Sequence, residues 1–164
     1  MVRVQREETM ESLPFSIANV YEGLAEVKGT ARCEDDVLIL EFQTHDSLVA
    51  LLKSKVKTIH LPLHALAAIY FQHKLFTACV TLRVHSMRLV QDLPGTCQGE
   101  VRLHVARKHR KIARAFVSEL ELRCAEHQLR RLDDEAMQQL EEQVRRLDNE
   151  ARKPLALPED EGAH

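Results

Sequence analysis

The change of hydrophobic period at Arg107 constrains this chain more than any other feature. Before it, Val101, Leu103 and Val105 alternate with Arg102 and His104, the period-two pattern of a half-buried strand. After it, Ala113, Phe116, Val117, Leu120 and Cys124 recur at three- and four-residue steps, one face of a helix. A last strand feeding a helix, behind a long β-compatible run, predicts an α+β domain with its helix packed on a sheet.

The β run can be read backwards from that point. Phe76, Ala78, Val80, Leu82 and Val84 share one face of a strand, with Thr77, Cys79, Thr81, Arg83 and His85 on the other. Residues 66–71 form the strand before it, and Val56–Leu61 another, ended by Pro62, which cannot donate to a ladder. Leu38, Leu40 and Phe42 are the buried side of a strand that pairs, around the acidic turn Glu34-Asp35-Asp36, with a long strand over Val20–Cys33. Gly23 and Gly29 mark places where that long strand bends or bulges. The first fourteen residues read as a loose lead. Residues 86–98, which hold Pro94-Gly95, are a connection of unassigned form.

A chain of 164 residues suffices for one domain with an extension. A formal net charge of -2 argues against a nucleic-acid binder that uses the whole chain, though not against a local basic patch. There is no apolar run of membrane-spanning length. The polar start Gln5-Arg6-Glu7-Glu8 is unlike a signal peptide, so a cytoplasmic location is expected. Cys33, Cys79, Cys97 and Cys124 are widely spaced and are read as free thiols rather than a zinc site.

This order of elements resembles the pleckstrin-homology-like (PH-like) domains, most closely the bacterial members. The resemblance covers roughly residues 15–127 and is prompted by Val56-Lys57-Thr58-Ile59-His60-Leu61-Pro62-Leu63 and by the basic start of the last helix. It implies a strongly bent antiparallel sheet, a partly open barrel capped by one C-terminal helix. The family usually has seven strands, and six are read here. Either residues 86–98 hold the seventh or the count is one short. Eukaryotic members often carry a Trp in the last helix; this chain has none, and Phe116 takes the comparable place. Phosphoinositide-binding members grip phosphates with cations around the first hairpin loop. Reading that loop as Glu34-Asp35-Asp36 sets carboxylates against a phosphate and disfavours such binding.

Five cations, Arg107, Lys108, Arg110, Lys111 and Arg114, crowd the start of the helix. The macrodipole is already positive there, so cations gathered at this end suggest an anion site for a phosphate-bearing or acidic ligand. The plainer reading is a solvated face. Nucleic acid is disfavoured because no aromatic residue is interleaved with the basic ones.

Histidine gives no metal site. His60 and His64 are separated by Pro62, and His85 and His104, even if adjacent on paired strands, lack a third ligand. No nucleophile–base arrangement or glycine-rich phosphate loop occurs, so no enzyme, catalytic residue or cofactor is expected.

The C-terminal part differs in character. Asp133-Asp134-Glu135 reads as a fresh helix start, with a break or kink before it. Beyond it Met137, Leu140, Val144, Leu147 and Ala151 fall on a and d positions of a short heptad pattern, a register that Leu129 and Leu132 do not share. Glu141–Arg145 and Glu142–Arg146 are four-apart ion pairs. The stripe must be covered by its own domain, by a second copy or by another protein. Pro154 and Pro158 end the helix before an acidic tail.

The expectation is therefore a flexible lead over residues 1–14, a PH-like domain over 15–131, a second helical extension over 132–153 and a disordered acidic tail over 154–164. Its function reads as a non-enzymatic module that binds an unidentified protein partner or forms a homo-oligomer through the C-terminal helix. The alternative is an anion-binding module using the basic helix start.

Overall fold

The computed structural model describes residues 11–20, 22, 24–46, 54–73 and 75–152. Among these residues seven strands precede one α-helix: β1 (Leu13–Val20), β2 (Ala25–Glu34), β3 (Val37–Asp46), β4 (Lys57–Pro62), β5 (Leu66–His73), β6 (Thr77–Val84), β7 (Glu100–Ala106) and α1 (Arg110–Ala151). All strand pairs are antiparallel, in the order β4-β3-β2-β1-β7-β6-β5. Two meanders thus meet where the first strand lies beside the last. That seam is slight, since Ser16 opposite His104 is its registered pair. The sheet does not close, and β4 and β5 are its edges. The fold is α+β with a capping C-terminal helix, as the change of period predicts.

The seventh strand lies at the front of the chain, not in residues 86–98. β1 runs Leu13–Val20 and includes Pro14, so the ordered chain starts before Phe15. The long strand expected over Val20–Cys33 is shorter: Val20 ends β1, Glu22 and Leu24 lie in a turn, and β2 begins at Ala25. Glu22 takes a positive φ of 60° within that turn. The irregularity expected of Gly29 sits instead on β1, where the register shifts between Ile17 and Val20. Gly29 itself keeps regular pairing, with Phe15 on one side and Phe42 on the other.

Residues 86–98 are a packed connection. A 3-10 turn covers Met87–Val90, the Leu93 amide donates to the Val90 carbonyl at 3.0 Å, and the Thr96 hydroxyl donates to the Leu93 carbonyl at 2.7 Å. Val90 and Leu93 are buried, so the segment feeds the core through turns rather than through a ladder.

Alternation drives the core. Leu38, Leu40 and Phe42 of β3, Ala78, Val80, Leu82 and Val84 of β6, and Val101, Leu103 and Val105 of β7 are all buried. α1 adds Ala113, Phe116, Val117 and Leu120, with Cys124 partly buried against the cluster. Phe76 departs from its expected inward face and is 73% exposed. The reason is where the ladder stops. β6 starts at Thr77, which pairs with Ala106, the last residue of β7, so no third strand or helix face extends over position 76.

The chain divides into two compact units, Met1–Gln128 and Leu129–His164. The break expected near Asp133 is absent, because α1 runs without interruption to Ala151. No Gly or Pro lies between Arg107 and Lys153, and an Asp in a helix interior costs only about 0.7 kcal/mol. Four-apart pairs add support: Arg131 with Glu135 at 3.2 Å and Arg146 with Glu142 at 2.7 Å. The lead over residues 1–10 and the tail over 154–164 lie outside the described residues.

Candidate functional sites

The basic helix start is built by the end of β7. Ala106 ends the strand in an extended conformation, and Arg107–His109 make one 3-10 turn before α1 begins at Arg110. Of the five cations singled out, Arg110 is used structurally. Its Nη2 donates to the Leu75 carbonyl at 3.0 Å and holds the β5–β6 turn against the helix start. Arg107, Lys108, Lys111 and Arg114 are exposed. Among the described residues none of these four has a carboxylate within ion-pairing distance.

The turn held by Arg110 is itself unusual. Leu75, whose carbonyl Arg110 holds, is 81% exposed, and Phe76 beside it is exposed as well. Alternation along β6 places Phe76 inward; only the ends of β6 and β7 show that it is outside.

The acidic turn Asp35-Asp36 belongs to the second hairpin, between β2 and β3, where Glu34 pairs with Val37. Asp35 sits at a positive φ of 49°, and its carbonyl accepts from Arg123 Nη1 at 3.5 Å. Arg123 also donates from Nε to Glu119 at 2.9 Å. The turn is therefore a brace between sheet and helix. The first hairpin lies instead between β1 and β2, with Glu22 and Leu24 in its turn, so Glu34-Asp35-Asp36 is not the loop on which the expectation about phosphate rests.

In the second unit the apolar stripe is bare. Leu129, Leu132, Met137, Leu140, Val144 and Leu147 are each more than half exposed, Leu147 at 65%, and Ala151 is exposed as well. A helix that runs straight through removes the register conflict inferred from the heptad pattern. At about 100° per residue all seven fall within an arc of roughly 140°. Leu129 and Leu132 belong to the same stripe as Met137–Ala151.

A shallow cleft of about 460 Å³ lies on the outer face of β5–β7, lined among others by Gln72, Thr77, Cys79, Arg102 and His104. Arg102 is paired with Glu100 at 2.8 Å. His104 stands opposite Cys79, and His85 lies beyond the end of β6, so the two histidines do not meet. His64 instead stacks on His127 of α1, with centroids 5.8 Å apart at 30°. That pair joins residues 63 positions apart, and no spacing rule finds it. Among the described residues no three His, Cys, Asp or Glu side chains converge as a metal site.

The four cysteines are free. Burial pushes the Cys33 thiol up, against the opposing pull of the nearby Arg123 guanidinium. Burial also raises Cys124, and the Glu121 carboxylate adds to the effect. Folding favours the neutral thiol at both, so this contribution is whole below the ordinary value of 9.0 and is lost as pH rises toward the folded values. Maleimide added to the native protein at neutral pH should label exposed Cys97 first and buried Cys33 last. Peptide mass mapping over time checks the order, and equal rates would contradict it.

Among the described residues no helix is long and apolar enough to cross a membrane. Compared with protein-family models, with curated proteins and with solved structures, the chain finds no match.

Proposed function

We propose that the chain is a non-enzymatic assembly module of PH-like type, of the bacterial kind and acting in the cytoplasm, that self-associates through residues 129–151 of α1. Support for the scaffold comes from seven antiparallel strands followed by one capping helix. Four free thiols suit a reducing compartment. The observation that carries the assembly role is the bare stripe of Leu129, Leu132, Met137, Leu140, Val144 and Leu147.

Leaving such side chains in water forfeits on the order of 1.5–3 kcal/mol each, so a surface that covers them is strongly favoured. A second copy is the simplest occupant. A two-fold axis sets one stripe against an identical one and needs no other surface. The flanks carry both signs, with Arg130, Arg131, Arg145 and Arg146 set among Asp133, Glu135, Glu141 and Glu142. Identical helices of one sign would repel; these do not. Residues 129–151 span roughly 35 Å at 1.5 Å per residue, a short seam, so a dimer that dissociates at micromolar concentration is expected.

Analytical ultracentrifugation of the full chain should show a concentration-dependent dimer. Leu140→Glu with Leu147→Glu should abolish it without lowering the melting temperature of the sheet domain, since both positions are exposed in the monomer. A wild type that stays monomeric into the high micromolar range would end the assembly reading.

A further inference from the structure

We infer that the β5–β6 turn and the start of α1 form a docking tip for an anionic lipid bilayer. The two parts lie in one unit and are tied together. Arg110 donates to the Leu75 carbonyl at 3.0 Å, and Thr77 pairs with Ala106, so Leu75-Phe76 and Arg107-Lys108 leave the sheet side by side. Leu75 is 81% and Phe76 73% exposed. Two large apolar side chains at the apex of a turn have no packing reason to be there. They are not a strand face that another element covers, because both ladders end at Thr77 and Ala106.

Arg107 and Lys108 follow directly on the paired Ala106, and Lys111 and Arg114 lie on the first turns of the helix whose Arg110 holds Leu75; all four are exposed. The pattern matches what an interface between water and lipid selects. Leu and Phe enter the boundary between headgroups and acyl chains, and the cations stay at the level of the phosphates. The Arg110 bond holds the backbone at Leu75 in place, which lowers the ordering cost of insertion. A soluble phosphate ligand would use the cations and gain nothing from Leu75. Nucleic acid would want successive aromatic faces, and this tip offers Phe76 alone. The charge–apolar combination therefore favours a bilayer surface held by general electrostatics, without stereospecific recognition of one headgroup.

The test is co-sedimentation of the full chain with phosphatidylcholine vesicles, with and without phosphatidylglycerol. Binding should require phosphatidylglycerol and weaken with added salt. Changing Lys108, Lys111 and Arg114 to Gln should lower the partition coefficient on the order of a hundredfold. Leu75→Ser with Phe76→Ser should lower it at least about tenfold. All five side chains are exposed, so both variants should melt like the wild type, and a variant that does not is replaced by the single change Leu75→Ser. The dimer-breaking pair Leu140→Glu and Leu147→Glu, measured beside them, separates tip binding from any gain due to assembly. Absence of binding overturns the inference. So does full binding by the Leu75→Ser, Phe76→Ser protein, which would mean plain anion capture, and so does equal binding to neutral vesicles.

Discussion

Phe116→Ala is expected to destabilise the domain by about 3–5 kcal/mol, the range for removing a large side chain from a core that cannot collapse around the gap. The ring sits on the inward stripe of α1 and is 2% exposed, between Ala113, Val117 and Leu120. It packs into the same cluster as the β3, β6 and β7 side chains, so its loss unsettles helix and sheet together. Phe116→Leu keeps most of the volume and should cost less than about 1.5 kcal/mol. Urea unfolding of the three proteins, followed by circular dichroism, checks the order. An alanine variant as stable as wild type would mean that α1 does not cap the sheet through this face.

Gly29→Ala should also be strongly destabilising, although intrinsic preference points the other way. In a regular strand Ala is better than Gly by about 0.5–1 kcal/mol. Gly29, however, lies between two aromatic neighbours, paired with Phe15 on β1 and Phe42 on β3. A Cβ at this position would come within 2.7 Å of Phe15 Cζ and 2.9 Å of Phe42 Cβ, and would press on the Glu41 carbonyl oxygen. The Phe15 ring can swing only at the expense of the core, and the Glu41 carbonyl belongs to the backbone of the adjoining strand. Overpacking of this kind costs about 1–3 kcal/mol, with the backbone contact pushing toward the upper end. Thermal melting decides between the two effects. A melting temperature above wild type would show that propensity wins and that the close approach relaxes freely.

The sequence by itself determined the class of fold, because alternation and helical period are local properties. The buried faces of β3, β6 and β7 follow from every second residue being apolar, and the inward stripe of α1 follows from three- and four-residue steps. What the local pattern did not hold was where each ladder stops. Leu13 and Pro14 read as the end of a loose lead, and residues 15–19 as no strand, until β2 and β7 were there to pair with them. Phe76 fell on the inward parity of β6 yet is outside, because Thr77 and Ala106 are the last residues with partners. Asp133 looked like a helix cap, since acidic residues favour caps. Within a run free of Gly and Pro, helix propagation prevailed over that local preference.

The candidate sites divide in the same way. The cations at 107–114 and the stripe at 137–151 were visible as runs of type and period. Only the tertiary structure assigned Arg110 to the Leu75 carbonyl, left the other four cations exposed and turned Leu75 and Phe76 outward. Only the continuous helix brought Leu129 and Leu132 onto the stripe. Period is written in neighbours along the chain, whereas exposure depends on which distant segment covers a residue, and that is decided by the packing of the whole sheet.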